Sequence, residues 1–318
     1  MKKLRCGIIL FIAALIWGIT FVAQSNASAH VEPFTFNFVR FLIGSAVLLP
    51  FIPIFARIDA KNASRESLPT PHGGASHKKL FKGGMLLGIM LCIASNLQQL
   101  GISNGDSVGK AGFITSVYIM LVPVVGLFFR KKTHPFIWVC TLISAVGLYF
   151  LSIDPARGTF SIELSDLAYL GCAVFFAVQI ILVSIYSPQV NCIALSSIQF
   201  AVAAILSGVG MLLFEEPSVD AILNAAGPLL YAGILSCGIA YTLQVLGQRG
   251  IDPAIASLIM CLESVFSVIA GFLLLNQRMS PREILGCGIM FAATIAAQLL
   301  PASKQTAKKA SEQNKQAE

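Results

Sequence analysis

Ten long apolar blocks, each about as long as a bilayer-crossing helix and each set off by short polar punctuation, constrain what this chain can fold into. In hydrocarbon, backbone N–H and C=O groups find no water. Each spanning segment must satisfy its own, which leaves α-helices or a closed β-barrel. A barrel would show short segments alternating apolar and polar, and no such alternation runs through the chain. The composition agrees: 56% of residues are hydrophobic and 12% charged, where a soluble domain would carry about twice that charge. The expected fold class is an all-α polytopic membrane protein with ten transmembrane helices.

The first block follows a basic start and runs from Cys6 to about Val22. It resembles a signal peptide but lacks a small-residue cleavage site, and nine blocks follow, so a retained helix is expected. The others are read at Pro33–Phe55, Phe81–Leu100, Gly109–Phe129, Pro135–Leu151, Leu167–Tyr186, Cys192–Phe214, Ala225–Leu246, Pro253–Leu275 and Ile284–Leu300. Arg57–Lys82, rich in Pro, Gly, Ser and basic residues, reads as a mobile loop. Asp154–Asp166 reads as a polar link between two halves, and residues 301–318 as a polar cytoplasmic tail.

Ten crossings return the chain to its starting side. The basic residues of the N-terminus, of Arg57–Lys82, of Arg130–Lys132, Arg249 and the tail lysines fall on that side; Lys110, Arg157, Arg278 and Arg282 fall on the other. This asymmetry predicts cytoplasmic termini in a cell (inner) membrane, with the Arg278/Arg282 loop a local exception. The net charge of +7 is thus a topology signal, and nucleic acid is not expected as a partner. The eight cysteines are scattered without a CxxC pair, mostly inside apolar blocks, and read as small buried hydrophobes rather than disulfides or zinc ligands. No GxxxxGK[ST], HExxH or GxSxG occurs. Neither an ATP-driven pump, an enzyme nor a cofactor is expected.

The blocks repeat. A shift of 146 residues lays Leu97-Gln98 on Leu243-Gln244, Asp106 on Asp252 and Pro135 on Pro281; a shift of 159 lays Trp17-Gly18 on Phe176-Ala177 and Phe41 on Phe200. Each half, 6–152 and 165–300, then holds five blocks. Because five is odd, equivalent helices run in opposite directions. Two inverted five-helix repeats are expected, with a binding site near the midplane between them.

Glu263 is the leading candidate for that site. It lies about ten residues into its block, or about 15 Å at helical rise, halfway through a ~30 Å hydrocarbon core. A carboxylate at that depth is costly, so it either binds a substrate cation, exchanges a proton, or is held as a structural acid. Arg40, about 10 Å into the second block, could clamp a substrate carboxylate with its fork of donors. It could equally snorkel outward or pair with an acid. Trp17, Tyr118 and Tyr241 could line a cavity or simply pack helices. Asn96, Gln98, Gln179, Gln199 and Gln244 could bond substrate or glue helices together. Pro123 should bend the fourth block, and Gly84/Gly88 mark a close helix approach.

Trp17-Gly18, Val39-Arg40-Phe41, the run Gly112–Gly126, Leu262-Glu263 and the closing Gly286–Phe291 segment resemble the EamA-type transporters of the drug/metabolite transporter superfamily, over nearly the whole chain. That family often reads Leu-Glu-Pro in the ninth block. Ser264 replaces the proline here, which leaves the kink in doubt. The resemblance implies two EamA repeats and secondary transport, often outward, of small metabolites through the lipid bilayer. The expected function is export of a small polar metabolite such as an amino acid, with a homo-oligomer possible. The alternatives are a nucleotide-sugar or drug carrier of the same superfamily, or a non-transporting membrane enzyme or scaffold.

Overall fold

The computed structural model describes residues 2–55, 57, 74–104, 108–131, 133–152, 163–275 and 280–299. The described residues form helices and connecting turns, with no strand among them. The helices are α1 (Lys2–Ala27), α2 (Pro33–Leu48), α3 (Gly74–Ser103), α4 (Val108–Ser116), α5 (Tyr118–Phe128), α6 (Pro135–Ser152), α7 (Leu164–Tyr186) and α8 (Cys192–Phe214). A short α9 (Val219–Asn224) leads into α10 (Ala226–Leu230), a π-wound stretch (Tyr231–Tyr241), α11 (Thr242–Gly247) and a 3₁₀ turn (Gln248–Gly250). The chain closes with α12 (Pro253–Met260), α13 (Glu263–Leu275) and α14 (Pro281–Leu299). Among the described residues, eight helices, some of them interrupted, are long and apolar enough to cross a membrane; Pro33–Leu48 and Pro135–Phe150 are shorter apolar helices.

The helix starts follow from the sequence. Four helices begin on proline, whose missing N–H costs nothing in a first turn. Asp252 caps α12 by accepting from the Ala254 N–H at 2.9 Å. Burial pushes its carboxyl above the usual aspartate range, while its bond to that amide and the charge of Lys131 draw it back. The Glu215 carboxylate, at the end of α8, accepts from the Phe34 and Thr35 N–H groups at 2.6 and 2.7 Å and from the Thr35 hydroxyl at 2.7 Å. It thus closes the exposed amide end of α2 with a full negative charge.

The helices depart from the expected blocks at three places. Residues 74–82, read as the end of a loop, form the first turns of α3; no proline falls in that stretch, and the lysines there are good helix formers. Residues 58–73, Asp106, 153–162 and the tail 301–318 lie outside the described residues. The fourth block is interrupted at Val117, whereas Pro123 sits within α5. The ninth block breaks at Cys261-Leu262 without a proline. There the Leu258 carbonyl, which should accept from the Leu262 N–H, instead accepts the Cys261 thiol at 3.1 Å and lies 3.1 Å from the Thr294 hydroxyl of α14, which also reaches the Met290 carbonyl of its own helix at 2.8 Å. Leu262 N–H falls back on Ile259 at 3.2 Å. A side chain inserted into the ladder breaks the helix as a proline would.

The two breaks meet. The Ser264 hydroxyl donates to the Gly112 carbonyl at 2.9 Å and touches the Ser116 hydroxyl. Around this junction α13 packs on α1 and α4, α5 packs on α7, and α3 lies against both α7 and α8. The π-wound stretch lies against α1 and α2, while α2 pairs with α8 and α6 with α14. Close approaches are made where side chains vanish: a Cβ on Gly88 would meet Val202 Cβ at 2.6 Å and the Gln199 carbonyl at 2.7 Å, and Gly84 is equally pressed by Ile198. The expected Gly84/Gly88 contact is therefore the seam of α3 with α8. Large apolar side chains such as Ile205, Leu212 and Phe214 point away from the bundle, fully or largely exposed, as faces that lipid covers do.

Candidate functional site

Where α1, α2, α3, α5, α7 and the helices from 231 to 263 converge, they line a pocket with about 480 Å³ of empty space, open solvent included. Eight of the ten expected residues line it: Glu263, Arg40, Trp17, Tyr118, Tyr241, Gln98, Gln179 and Gln244. Asn96 does not. Its amide donates to the Cys92 carbonyl at 2.8 Å and the Ser207 hydroxyl at 3.0 Å and accepts from Asn37 at 2.9 Å, tying α3 to α8 and α2. It is interhelical glue. Gln199 is fully buried on α8 and is not part of the lining.

Arg40 is only 2% exposed. Its guanidinium carbon lies 5.1 Å from the Phe36 ring centroid and 4.8 Å from that of Phe41, close enough for cation–π attraction. Its Nε has no hydrogen-bond partner, and among the described residues no carboxylate pairs with it. It therefore neither snorkels nor joins an ion pair. A cation held this far from water without a counterion is expensive, and it faces the cavity.

Glu263 is 7% exposed and is the first residue of α13. The break at Cys261-Leu262 thus gives the carboxylate the positive end of a helix dipole in the middle of the span. Tyr118 opens α5 directly after the other break. Trp17 packs edge-on against Tyr241 with centroids 4.7 Å apart, and Tyr241 against Phe200 at 5.6 Å. Trp17 Nε1 is left without a partner. The cavity therefore offers an aromatic wall, one unpaired cation, one carboxylate and free donors.

Sequence reasoning missed Thr20, Phe21 and Gln24 on α1, Phe176 and Ile180 on α7, Ser236, and Met260. The α1 residues had a signal: 17, 20, 21 and 24 share one helical face, so the stripe starting at Trp17 could have been followed. Gln24 donates to Gln98 and Gln99, each at 3.1 Å, and Gln98 donates onward to Thr115 at 3.4 Å. This network joins α1 to α3 at one end of the cavity.

Gly18 is the residue that lets α1 reach Glu263. A Cβ there would meet the Glu263 carbonyl at 2.9 Å, the Phe266 carbonyl carbon at 2.8 Å and Phe266 Cβ. Two of the three are backbone and cannot swing aside. We expect Gly18→Ala to destabilise the protein by about 1–3 kcal/mol, read as a lower melting temperature in detergent, and an unchanged melting temperature would contradict this packing.

Residues 4–153 and 164–297 match the profile of the EamA-like transporter family. The chain belongs to that family. Its similarity extends to a protein of Archaeoglobus fulgidus named "Uncharacterized transporter", 28% identical over 300 residues and covering 94% of this chain and 87% of the relative. The "Uncharacterized transporter YwfM" of Bacillus subtilis is 23% identical, covering 98% and 99% respectively. A solved structure titled "Crystal structure of protein" shares the fold with a TM-score of 0.69 at 19% identity, covering 93% of this chain and 96% of that one. This EamA-like chain is accordingly an integral membrane protein and a transporter, and the cavity is the place in it where a small molecule could bind.

Proposed function

We propose that this transporter is a secondary exporter of small polar metabolites that carry both charges, such as an amino acid. The observation that carries the reading is Arg40, a buried cation without a protein counterion, in the same cavity as the Glu263 carboxylate. A bound carboxylate would supply the missing anion through charge-assisted bonds. A substrate ammonium would neutralise Glu263 in turn. The aromatic wall of Trp17, Tyr118 and Tyr241 suits an organic body between them. Arg40 is the only Lys or Arg in the described lining, which disfavours a nucleotide sugar with its two phosphates.

The transport cycle we propose uses ten crossings in two inverted halves. The packing pattern supports it. Exchange the halves, so that α1 takes the place of α7, α2 of α8, α3 of the 226–250 helix, the α4–α5 pair of the α12–α13 pair, and α6 of α14. The contacts of α3 with α7 and α8 then become those of the 226–250 helix with α1 and α2, the α5–α7 contact becomes that of α12 and α13 with α1, and the α6–α14 and α2–α8 pairs map onto themselves. Such a pair can rock about a central site and open it alternately to either side. The termini are assigned to the cytoplasm by the basic residues on their side.

Purified protein in liposomes, loaded with an unlabelled solute, tests the reading by counterflow. Labelled amino acids should accumulate, and nucleotide sugars and cationic drugs should not. Spent medium of overexpressing cells should be enriched in the same amino acids relative to deleted cells. Counterflow confined to nucleotide sugars or drugs would overturn the substrate class, and no flux of any of them would overturn the exporter reading.

A further inference from the structure

The glutamines at the two ends of the cavity are not in the same state. At the end where Gln24, Gln98 and Gln99 meet, the side-chain amide nitrogens of all three are engaged with one another, with Thr115 and with the Gln24 carbonyl. Toward the end of the bundle that carries the start of α1, Gln244 donates to Gln179 at 3.1 Å, and Gln244 Oε1 and Gln179 Nε2 are both left without partners. One turn further along, Gln248 Oε1 is also unpartnered, and its amide nitrogen reaches only the Met260 sulfur, at 4.0 Å. All three side chains are 2% exposed or less. Buried amides normally find partners, because each orphaned group costs free energy. Three in a row, continuous with the cavity through Gln244 and Met260, make a built but unused donor–acceptor track.

The track ends under α1. A Cβ on Gly247 would meet Leu10 Cγ at 2.7 Å and the Cys6 carbonyl at 3.3 Å, and one on Gly250 would meet Cys6 Sγ at 2.9 Å. From the other side Arg249 fastens the same turn, its Nε donating to the Ser187 carbonyl at 2.7 Å and its Nη2 to that of Val190. Arg249 is thereby turned away from the track, which carries no charged side chain between Gln244 and Gln248.

We infer that Gln248, together with Gln179 and Gln244 of the cavity lining, forms the leg by which solute leaves or enters the central cavity at the amino-terminal end of the bundle, and that the glycine seam between Cys6–Leu10 and Gly247–Gly250 is the gate that closes it. The leg takes solutes that are neutral overall and offer both a hydrogen-bond donor and an acceptor. An uncompensated charge would cross it without a counterion at high cost. The inference rests on the transport reading above and deepens it.

The seam can be tested with the chain's own cysteine. Cys6 is half-buried, while the other seven cysteines are buried. The Gly250 Cβ position lies at about the distance from Cys6 Sγ that an S–S bond of about 2.04 Å requires. Gly250→Cys, oxidised with copper phenanthroline in liposomes that show flux, should lose transport about tenfold or more, as a locked gate does, and regain it on reduction. Cys6→Ser in the same background should abolish the effect of the oxidant. Gln248→Leu is the second variant, should Gly250→Cys fail to fold. It should slow turnover about tenfold while leaving solute affinity, measured by protection against thermal unfolding, unchanged. A merely structural glutamine would shift the melting temperature and leave turnover per folded molecule intact. Full flux through the cross-linked protein, or wild-type turnover of Gln248→Leu, would overturn the gate. If the parent protein itself carries no solute, the transport reading fails instead.

Discussion

Glu263→Gln should cut transport by about tenfold or more while the protein still inserts, folds and purifies as the parent does. The substitution keeps the side chain's shape, exchanges one acceptor oxygen for an amide donor and removes the capacity for charge. The group is nearly buried, where an ionised carboxylate is costly, so the melting temperature should hold or rise. Binding is another matter. A substrate ammonium bonded to an ionised carboxylate gains about 1–1.5 kcal/mol over a neutral partner, or about five- to tenfold in affinity. The two readouts therefore move apart. Equal rates of counterflow for Glu263→Gln and parent, or a fall in stability that accounts for the whole loss, would return Glu263 to a structural role.

Arg40→Gln should behave in the complementary way. The guanidinium is held by Phe36 and Phe41 rather than by an acid, so its loss breaks no ion pair in the free protein. The cost should appear when a substrate carboxylate arrives. Affinity for amino acids should fall about ten- to hundredfold, and the corresponding amines, which lack the carboxylate, should bind parent and variant alike. Arg40→Lys should recover only part of the loss, because an ammonium cannot present a planar fork to two carboxylate oxygens. Should amines lose as much as amino acids, Arg40 would be shaping the cavity rather than reading the carboxylate.

Much of this molecule could be read before any coordinates, for a reason particular to lipid. A spanning helix must be long and apolar, so Cys192–Phe214 was legible to the residue, and most other boundaries fell within a turn. That Glu263 and Arg40 are buried fits their place inside apolar runs. What could not be read depends on neighbours distant in sequence. At the break before Glu263 the Leu258 carbonyl is shared by the Cys261 thiol and by Thr294, thirty-six residues away. The π winding from Tyr231 to Tyr241 had no counterpart in any local pattern. Asn96 was misplaced because a polar residue in an apolar run has two possible uses, and only its bonds to Asn37 and Ser207 tell which. Gln24 was overlooked because the α1 face was not followed past Trp17.

The clamp of Glu215 on the start of α2 bears on how selectivity could change by mutation. Three short bonds to one carboxylate mean that α2 and α8 cannot slide past each other without rupturing all three together. The arginine that would recognise cargo is therefore mounted on a fixed chassis. Residues elsewhere around the chamber can be exchanged without moving it, which leaves a lineage free to retune the organic part of its cargo while keeping the carboxylate anchor in place.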